Sequence, residues 1–276
     1  MNDFADRTLL MSGGSRGIGL AIALAAARQG ANVILLAKTD VPDPRLPGTI
    51  HTAAAEIEAA GGKALAVVGD VRDEASTLRA VEQGVERFGG IDIVVNNASA
   101  IDLSGTADLT AKKFDLMQQI QMRGTFLLTK AALPHLRESK NAHILSLSPP
   151  LNMAPHWLGA HPGYTLAKYG MSLLTLSWAE EFREVGIGAY TLWPETMIAT
   201  AAVQNILGGD EGMHRARTPE IMADSAAILL AKPAAEVSGR SYIDVDVLRE
   251  AGITDLSPYG GGPDVVLDLF VDPPTA

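Results

Sequence analysis

Short aliphatic runs alternate with amphipathic segments along the whole chain. Helical patterns begin near residues 17, 52, 73, 110, 162 and 218. Between them, seven runs predict strands: TLLMSG, ANVILLA, KALAVVGD, IDIVVNN, AHILSLS, IGAYTLWP and the shorter RSYIDVDV. Most runs are apolar throughout, which is typical of parallel strands that are buried on both faces. The pattern predicts an α/β fold, a single-domain, doubly wound parallel sheet of about seven strands with helices on both faces.

Two connections are longer than this architecture needs. Residues 39–50 contain three prolines and no periodicity, which predicts an ordered surface insertion after the second strand. Residues 194–217 predict a helical lid over the substrate, and residues 247–276 form a C-terminal tail. No linker divides residues 1–276. Both long connections follow the carboxyl ends of strands, where open α/β sheets bind their ligands.

Composition and charge narrow the class of partner. The formal net charge of −10 disfavours nucleic acid and anionic membranes, so a small molecule is the expected partner. The most apolar stretch, residues 18–27, is shorter than the roughly 20 residues that span a bilayer. The absence of cysteine and of a basic-then-apolar start favours the cytoplasm. The six histidines are scattered, so no metal is expected.

The stretch LLMSGGSRGIGLAIA places three glycines between the first predicted strand and the first helix. Glycines there let the chain turn tightly and let backbone amides approach an anion at the positive end of the helix. The loop therefore predicts a site for the phosphates of a dinucleotide. Its residues are Gly13, Ser15, Arg16, Gly17, Ile18 and Gly19.

The end of the second strand bears on the choice of cofactor. An acid at this point commonly holds the ribose 2′-hydroxyl of NAD, but here Ala37 is followed by Lys38. Lys38 and Arg16 together predict a 2′-phosphate and hence NADP(H). Asp40 lies close by and argues for NAD, and a solvated lysine at a strand end is the simpler alternative.

Further cofactor contacts are expected after the other strands. Asp70 and Val71 follow the third strand, where a carboxylate can accept from an adenine amine. Asn97 and Ala98 follow the fourth strand, along the middle of a dinucleotide, although asparagine is also an ordinary turn residue. Pro194 and Ile198, after the sixth strand, are assigned to the same site.

The segment YTLAK holds the candidate acid–base pair. In a helix, Tyr164 and Lys168 share one face with their β-carbons about 6 Å apart. A phenol is a weak acid at neutral pH, but a nearby ammonium and an oxidised nicotinamide both favour the phenolate. Packed tyrosine and surface lysine are the alternative interpretation.

The glycine loop, Asp70-Val71, NNAS and YTLAK, in this order, resemble the short-chain dehydrogenase/reductase family over nearly the whole chain. LPGTIHTAA, FDLMQQI, LSPPLN and YTLAKYGMS further resemble its subgroup hydroxysteroid dehydrogenase-like protein 2, which is implicated in lipid metabolism. Some members of that subgroup carry a C-terminal sterol-carrier domain, for which no room is expected in this chain.

The resemblance implies a Rossmann-like fold and an oxidoreductase that transfers hydride between NADP(H) and an alcohol or carbonyl group. It implies that Tyr164 gives or takes the proton, that Lys168 holds the ribose, and that helices near residues 110–139 and 162–185 form a homodimer or homotetramer. Loss of chemistry, leaving an NADP-binding regulatory or scaffold protein, is the rival function, and an enoyl reductase is a weaker third.

Two positions depart from the family pattern. Gln121 stands where an asparagine usually supports the lysine through a water, so we expect a proton relay with altered geometry. Pro149 stands at the usual reactive serine, and proline has no donor. Either Ser148 takes over that task, or it caps the strand and Asn152 or a water provides the donor.

The expected substrate is a small hydrophobic carbonyl or alcohol, such as a lipid, a steroid-like molecule or a fatty acyl compound. The residues near the reacting pair are mostly apolar, which suits such a ligand, although they also suit lid and core packing. The candidate wall residues are Leu151, Met153, Trp157, Leu158, Trp193, Met197 and Ile206.

Overall fold

The strands form one parallel sheet whose order reverses beside the first strand. The computed structural model describes residues 4–43 and 46–273. The strand order is β3-β2-β1-β4-β5-β6-β7, and every neighbouring pair is parallel. This confirms the predicted fold class. The strands are β1 (Thr8–Ser12), β2 (Asn32–Ala37), β3 (Lys63–Val68), β4 (Ile93–Asn96), β5 (Ala142–Leu147), β6 (Ile187–Trp193) and β7 (Ser241–Ile243).

The helices connect these strands and cover both faces of the sheet. A π-helical segment, Gln118–Arg123, joins α4 and α5 into one continuous rod, and a second one, Val203–Leu207, precedes α8. Short 3₁₀ turns occupy Arg183–Val185 and Ser257–Tyr259. The α-helices are α1 (Gly17–Ala27), α2 (Ile50–Ala59), α3 (Glu74–Phe88), α4 (Ala111–Met117), α5 (Gly124–Leu136), α6 (Pro155–Ala160), α7 (Pro162–Glu181), α8 (Gly209–His214), α9 (Glu220–Ala231), α10 (Ala234–Val237) and α11 (Asp244–Glu250).

The sheet separates two apolar cores. On one face, α1, α2, α9 and α11 pack against Leu9, Leu35 and Leu145. On the other face, α3, α5 and α7 pack against Ile34 and Ile144. The strand residues alternate between the two cores because successive side chains of a strand point to opposite faces. Continuous aliphatic runs are therefore what this fold requires.

The two edge strands differ from their predictions. β3 was expected to be buried on both faces, but Lys63 and Val68, at the two ends of this edge strand, are exposed. RSYIDVDV was predicted to be a strand throughout, yet only Ser241–Ile243 is extended, and α11 begins at Asp244. The apolar spacing of Val245, Val247 and Leu248 fits a helix that packs on the sheet.

The long connections are ordered where they are described. In the insertion at residues 39–50, Asp43 and Leu46 form an isolated bridge, while Pro44 and Arg45 lie outside the described residues. The connection at residues 194–217 contains the second π-helical segment and α8, so it is largely helical. Short α6, within the stretch that follows β5, was not predicted.

The end of the chain returns across the carboxyl end of β6. We call residues 264–273 the C-terminal segment. Within it, Leu267 forms an antiparallel bridge with Thr196, and the Asp268 amide donates to the Glu195 carbonyl oxygen at 2.9 Å. Residues 274–276 of the predicted tail lie outside the described residues.

In the two described ranges, none of the helices combines the length and the hydrophobicity needed to cross a membrane.

Candidate active site

One cleft of about 1220 Å³ runs along the carboxyl ends of the strands, across the reversal between β1 and β4. Such a reversal creates the crevice in which open α/β sheets bind ligands. Most of the predicted site residues line this cleft. They are Gly13, Ser15, Arg16, Gly17, Ile18, Lys38, Asp70, Val71, Asn97, Ala98, Tyr164, Lys168, Pro194 and Ile198.

The glycine loop fits a phosphate group in its geometry. Gly13 and Gly17 have φ angles of 73° and 56°, a conformation that favours glycine. A β-carbon on Gly13 would lie 2.9 Å from the α-carbon of Ala98, so the loop and the end of β4 are in close contact. Among the described residues, no side chain caps the first turn of α1, which leaves backbone amides to point toward the cleft.

Asn97 and Gly19 support the glycine loop through hydrogen bonds and close packing. The Asn97 side-chain amide donates to the carbonyl oxygens of Ser12 and Gly13 at 3.1 and 2.8 Å. A β-carbon on Gly19 would lie 2.5 Å from Asn97 Nδ2. Gly19 thus supports the phosphate loop through packing and does not line the cleft itself.

At the end of the cleft away from Tyr164, the Lys38 side chain is exposed and forms only a long ion pair. Its ammonium lies 3.8 Å from Asp70 Oδ2, and more than half of its side chain is exposed. Asp70 is bound more closely by Arg72, whose guanidinium lies 2.6 Å from the same oxygen. Burial acts to raise the pKa of Asp70, but the hydrogen bonds from Arg72 and the charge of Lys38 outweigh it, so the pKa is lowered.

Arg16 and Asp40, which also bear on the choice between NADP and NAD, bond to other parts of the protein. Arg16 donates to the carbonyl oxygens of Pro47 and Gly48 at 3.0 and 3.1 Å, which ties the insertion to the glycine loop. Asp40 contacts His51 Nε2 at 2.7 Å and lines an adjoining surface depression, which shares Lys38 with the main cleft. The acid that favoured NAD in the sequence therefore does not line the main cleft.

Tyr164 and Lys168 lie side by side on α7, each only 3% exposed. Lys168 Nζ donates to the Leu147 carbonyl oxygen at 2.8 Å and lies 5.1 Å from the Trp193 ring centroid. Burial lowers the pKa of Lys168 to about 8, against the opposing charge of Asp268.

The Tyr164 phenol is hard to ionise, although the nearby Lys168 ammonium was expected to favour the phenolate. Burial first, and then the charge of Asp268, raise its pKa well above the ordinary value, while a hydrogen bond with the Ser99 side chain lowers it. In the protein by itself the loss of hydration therefore dominates, because a buried phenolate loses most of its solvation.

Ser148 does not face the cleft. It is fully buried, and its hydroxyl donates to the Lys168 backbone carbonyl oxygen and lies 2.6 Å from Ser172 Oγ. The pleat of β5 turns Ser146 and Ser148 to the same side, toward α7. This geometry favours the alternative in which Ser148 fixes the end of the strand, and its assignment to the substrate oxygen stays a prediction.

The side-chain amide of Gln121 bonds the backbone of Ala100. Its oxygen accepts from the Ala100 amide at 3.2 Å, and its nitrogen donates to the Ala100 carbonyl oxygen at 2.8 Å. Gln121 lies in the π-helical segment and is fully buried. Its side chain thus holds the loop after β4, and a proton relay from Gln121 to Lys168 through a water stays a prediction.

The predicted apolar wall is only partly in place. Trp193 and Ile206 line the cleft, whereas Leu151 and Trp157 pack in the aromatic cluster around Tyr164. Met153 and Leu158 are 64% and 39% exposed, and neither lines the described cleft. Asn152, the alternative donor, bonds the C-terminal segment through Phe270 and Asp272.

The part of the cleft next to Tyr164 and Lys168, which we call the reaction end, includes three residues that the sequence did not predict: Ser99, Asp268 and Phe270. Ser99 lies within the NNAS motif and lines the cleft, so its hydroxyl was a signal that could have been used. Asp268 lines the cleft, and the Phe270 ring stacks on Tyr164 with centroids 6.2 Å apart. Neither carries a local signal, since both come from a segment far from YTLAK in the chain.

The comparisons with known proteins agree with this geometry. The family described as short chain dehydrogenase matches residues 7–211. The zebrafish (Danio rerio) protein named hydroxysteroid dehydrogenase-like protein 2 is 55% identical over 267 residues, which cover 96% of this chain. Its human counterpart is 50% identical over 268 residues and the same share of the chain.

The chain spans only 64% and 63% of the length of these two relatives. A crystal structure titled as a putative dehydrogenase from Xanthomonas campestris matches over the full length instead. It is 52% identical, superposes with a TM-score of 0.94, and the match covers 98% of this chain and 99% of that one.

Proposed function

The chain belongs to the short chain dehydrogenase family, whose members are oxidoreductases that act on CH–OH and C=O groups, and we propose that it transfers hydride between NADP(H) and a hydrophobic alcohol or carbonyl compound. The observation that carries this proposal is that one cleft joins the glycine loop to Tyr164 and Lys168. A dinucleotide bound along this cleft extends from the phosphate site toward the acid–base pair.

The residues present fit a nicotinamide dinucleotide. The free amides of α1 and the glycines without β-carbons accommodate the phosphates, and Lys38 is the exposed cation at the end where the 2′-phosphate of NADP lies. When bound, the nicotinamide ring supplies or accepts the hydride. For Lys38 to favour NADP over NAD, its ammonium must leave the long ion pair with Asp70 and contact the 2′-phosphate.

Tyr164 is the residue that we assign to proton transfer at the substrate oxygen. Lys168 holds the cofactor ribose, and its positive charge offsets part of the cost of ionising the buried phenol. Because Ser148 faces α7, the hydroxyl that contacts Tyr164 is that of Ser99, and we assign Ser99 to the substrate oxygen. Trp193 and Ile206 provide the apolar lining that supports a hydrophobic substrate.

Assembly into a homodimer or homotetramer is part of the same proposal. Phe126 on α5 and Leu166 and Leu173 on α7 are large apolar side chains with substantial exposure. They lie on the two helices that the family resemblance assigns to a subunit interface. Sedimentation of the purified chain tests this proposal, and a monomer at all concentrations would contradict it.

The central test is NADPH oxidation with a panel of hydrophobic ketones and aldehydes, comparing the wild type with Tyr164→Phe. We expect the substitution to lower kcat by about a hundredfold or more while NADPH binding is retained, since the lost group is the proton donor. Tyr169→Phe is the matched control, because the Tyr169 hydroxyl bonds the Asn152 carbonyl oxygen and not Tyr164. Tight NADPH binding without any turnover that depends on Tyr164 would instead favour the regulatory or scaffold role.

A further inference from the structure

The C-terminal segment brings a carboxyl group to the reaction end of the cleft. Its backbone is fixed to the residues that follow β6: the Met197 amide donates to the Val266 carbonyl oxygen at 2.8 Å, and the Asp268 amide donates to the Glu195 carbonyl oxygen. The Trp193 indole donates to the Leu269 carbonyl oxygen at 2.8 Å. Asp268 is therefore held in place from both sides along the chain.

The residues beyond Asp268 secure this position. The Phe270 ring packs on Tyr164 and also on Tyr169, with centroids 5.1 Å apart in the second pair. The Asp272 carboxylate accepts from Asn152 at 2.7 Å and from the Trp157 indole at 3.0 Å. These contacts join the C-terminal segment to α7 and to the stretch around α6. The position of Asp268 is therefore fixed by packing and hydrogen bonds on both sides of it.

The carboxyl group of Asp268 is only partly satisfied. Its Oδ1 accepts from the Leu269 amide at 2.7 Å, and the described residues supply no hydrogen-bond donor to Oδ2. Asp268 is half-buried, and it lines the same cleft as Tyr164 and Lys168. Lys168 Nζ donates to the Leu147 carbonyl oxygen, and no ion pair joins it to Asp268 in the described part of the chain, so Oδ2 remains available to a ligand.

We propose that Asp268 is a specificity-determining residue for the substrate. Its carboxylate excludes compounds that carry an anionic group close to the reacting carbonyl, and it accepts a hydrogen bond from a hydroxyl or amide in that place. Two like charges in a partly buried cleft repel strongly, whereas a neutral donor finds the open lone pairs of Oδ2. This inference rests on the proposed function and narrows its substrates to uncharged hydrophobic carbonyl compounds.

The exclusion of anionic compounds by Asp268 should become stronger as pH rises. Burial raises the pKa of Asp268 to about 7; the Leu269 amide and the charge of Lys168 lower it, and the charge of Asp244 raises it. Tyr164 is the further titratable group that faces it, from α7. Because the carboxyl is ionised above this pKa, exclusion of anions should be strong at pH 8 and weak at pH 6.

The test uses decanamide and decanoate, which match in length and differ in charge. Calorimetric titration into the chain saturated with NADPH gives the affinity of each at pH 8. We expect the wild type to prefer decanamide by roughly tenfold or more, and Asp268→Asn to reduce this preference to less than about threefold. Asp246→Asn is the matched control, since Asp246 is exposed on α11 and pairs with Arg249.

A pH series on the wild type tests the inference without any substitution. Decanoate stays ionised between pH 6 and pH 8, as an ordinary carboxyl does. A weaker preference for decanamide at pH 6 than at pH 8 therefore reports protonation of the Asp268 carboxyl. If the wild type reduces ketones but binds decanamide no better than decanoate at pH 8, the role of Asp268 is wrong and the proposed function stands. If no ketone is reduced, the proposed function fails, and the two affinities still decide whether Asp268 selects against anions.

Discussion

The Ser148 hydroxyl donates a hydrogen bond to the backbone carbonyl oxygen of Lys168 at 2.7 Å. The serine therefore binds the helix that carries the lysine and has no free proton to offer the cleft. Ser172, one turn further along α7, lies 2.6 Å from Ser148 Oγ and 2.6 Å from the Pro149 carbonyl oxygen. Together these contacts fix the end of β5 against α7, and the structure thereby separates a structural serine from the acid–base pair.

Ser148→Ala should therefore act on stability more than on chemistry. Removing a buried hydroxyl leaves its partners unsatisfied, so we expect the free energy of unfolding to fall by about 1–3 kcal/mol. The kcat with the best ketone should fall by less than about tenfold. Urea unfolding and steady-state kinetics measure the two effects, with Ser172→Ala as the control for the same hydrogen-bonded group. A hundredfold loss of kcat at unchanged stability would show that Ser148 reaches the substrate after all.

Lys38→Ala should weaken the binding of NADPH much more than that of NADH. The reason is that the lysine is expected to contact only the 2′-phosphate, and a lost charge-assisted contact is costly where the partner charge remains. We expect roughly a tenfold loss for NADPH and less than about threefold for NADH, measured by fluorescence titration. Lys63→Ala, an exposed lysine at the start of β3, controls for the change in net charge. Equal losses for both cofactors would mean that Lys38 does not touch the 2′-phosphate.

Gly19→Ala should disturb the phosphate loop through Asn97. The new β-carbon would lie 2.5 Å from Asn97 Nδ2 and 3.0 Å from the Gly13 carbonyl oxygen. Overpacking of this kind costs about 1–3 kcal/mol, and moving Asn97 releases the loop that it holds. We expect a lower melting temperature together with weaker NADPH binding. Gly90→Ala, where a β-carbon would meet no atom of the described residues within 4 Å, should change neither property. A Gly19→Ala variant with unchanged melting temperature and NADPH binding would refute the packing role.

Asp244→Asn should stabilise the protein at alkaline pH. Asp244 is fully buried; its Oδ1 accepts from the Glu195 and Val245 amides, while its Oδ2 has no hydrogen-bond partner in the described part of the chain. Burial raises the pKa of Asp244 to about 7. Since the folded state binds the proton more tightly than the unfolded state, this group costs stability progressively as pH rises from about 4 to 7.

The asparagine variant removes that cost because it carries no charge. We expect it to unfold with a free energy on the order of 2 kcal/mol higher than the wild type at pH 8, and with a much smaller difference at pH 5. Denaturant unfolding at the two pH values measures both quantities. Asp246→Asn, on the exposed side of α11, should show no such pH dependence. A variant that is less stable at pH 8 would indicate that the Asp244 charge is compensated in the folded protein.

Much of this protein was predictable from local sequence. The apolar runs predicted the seven strands, because a strand buried on both faces needs uninterrupted aliphatic residues. The glycine loop was predictable because the left-handed backbone of Gly13 and Gly17 favours glycine. Tyr164 and Lys168 share a face because four residues complete about one helical turn. Each of these features depends on neighbours in the chain, which the sequence states directly.

The tertiary structure decided how the side chains of the site are used. Whether Ser148 faces the cleft depends on the pleat of β5 and on where α7 packs, and both Gln121 and Asp40 find partners that no spacing indicates. Asp268 reaches the cleft only because the chain returns over β6 after α11. Such contacts join residues that are far apart in sequence, and they are selected by the packing of the whole core. No local periodicity encodes them. The order of the motifs therefore indicates the family, whereas the tertiary structure decides which side chains surround Tyr164 and Lys168.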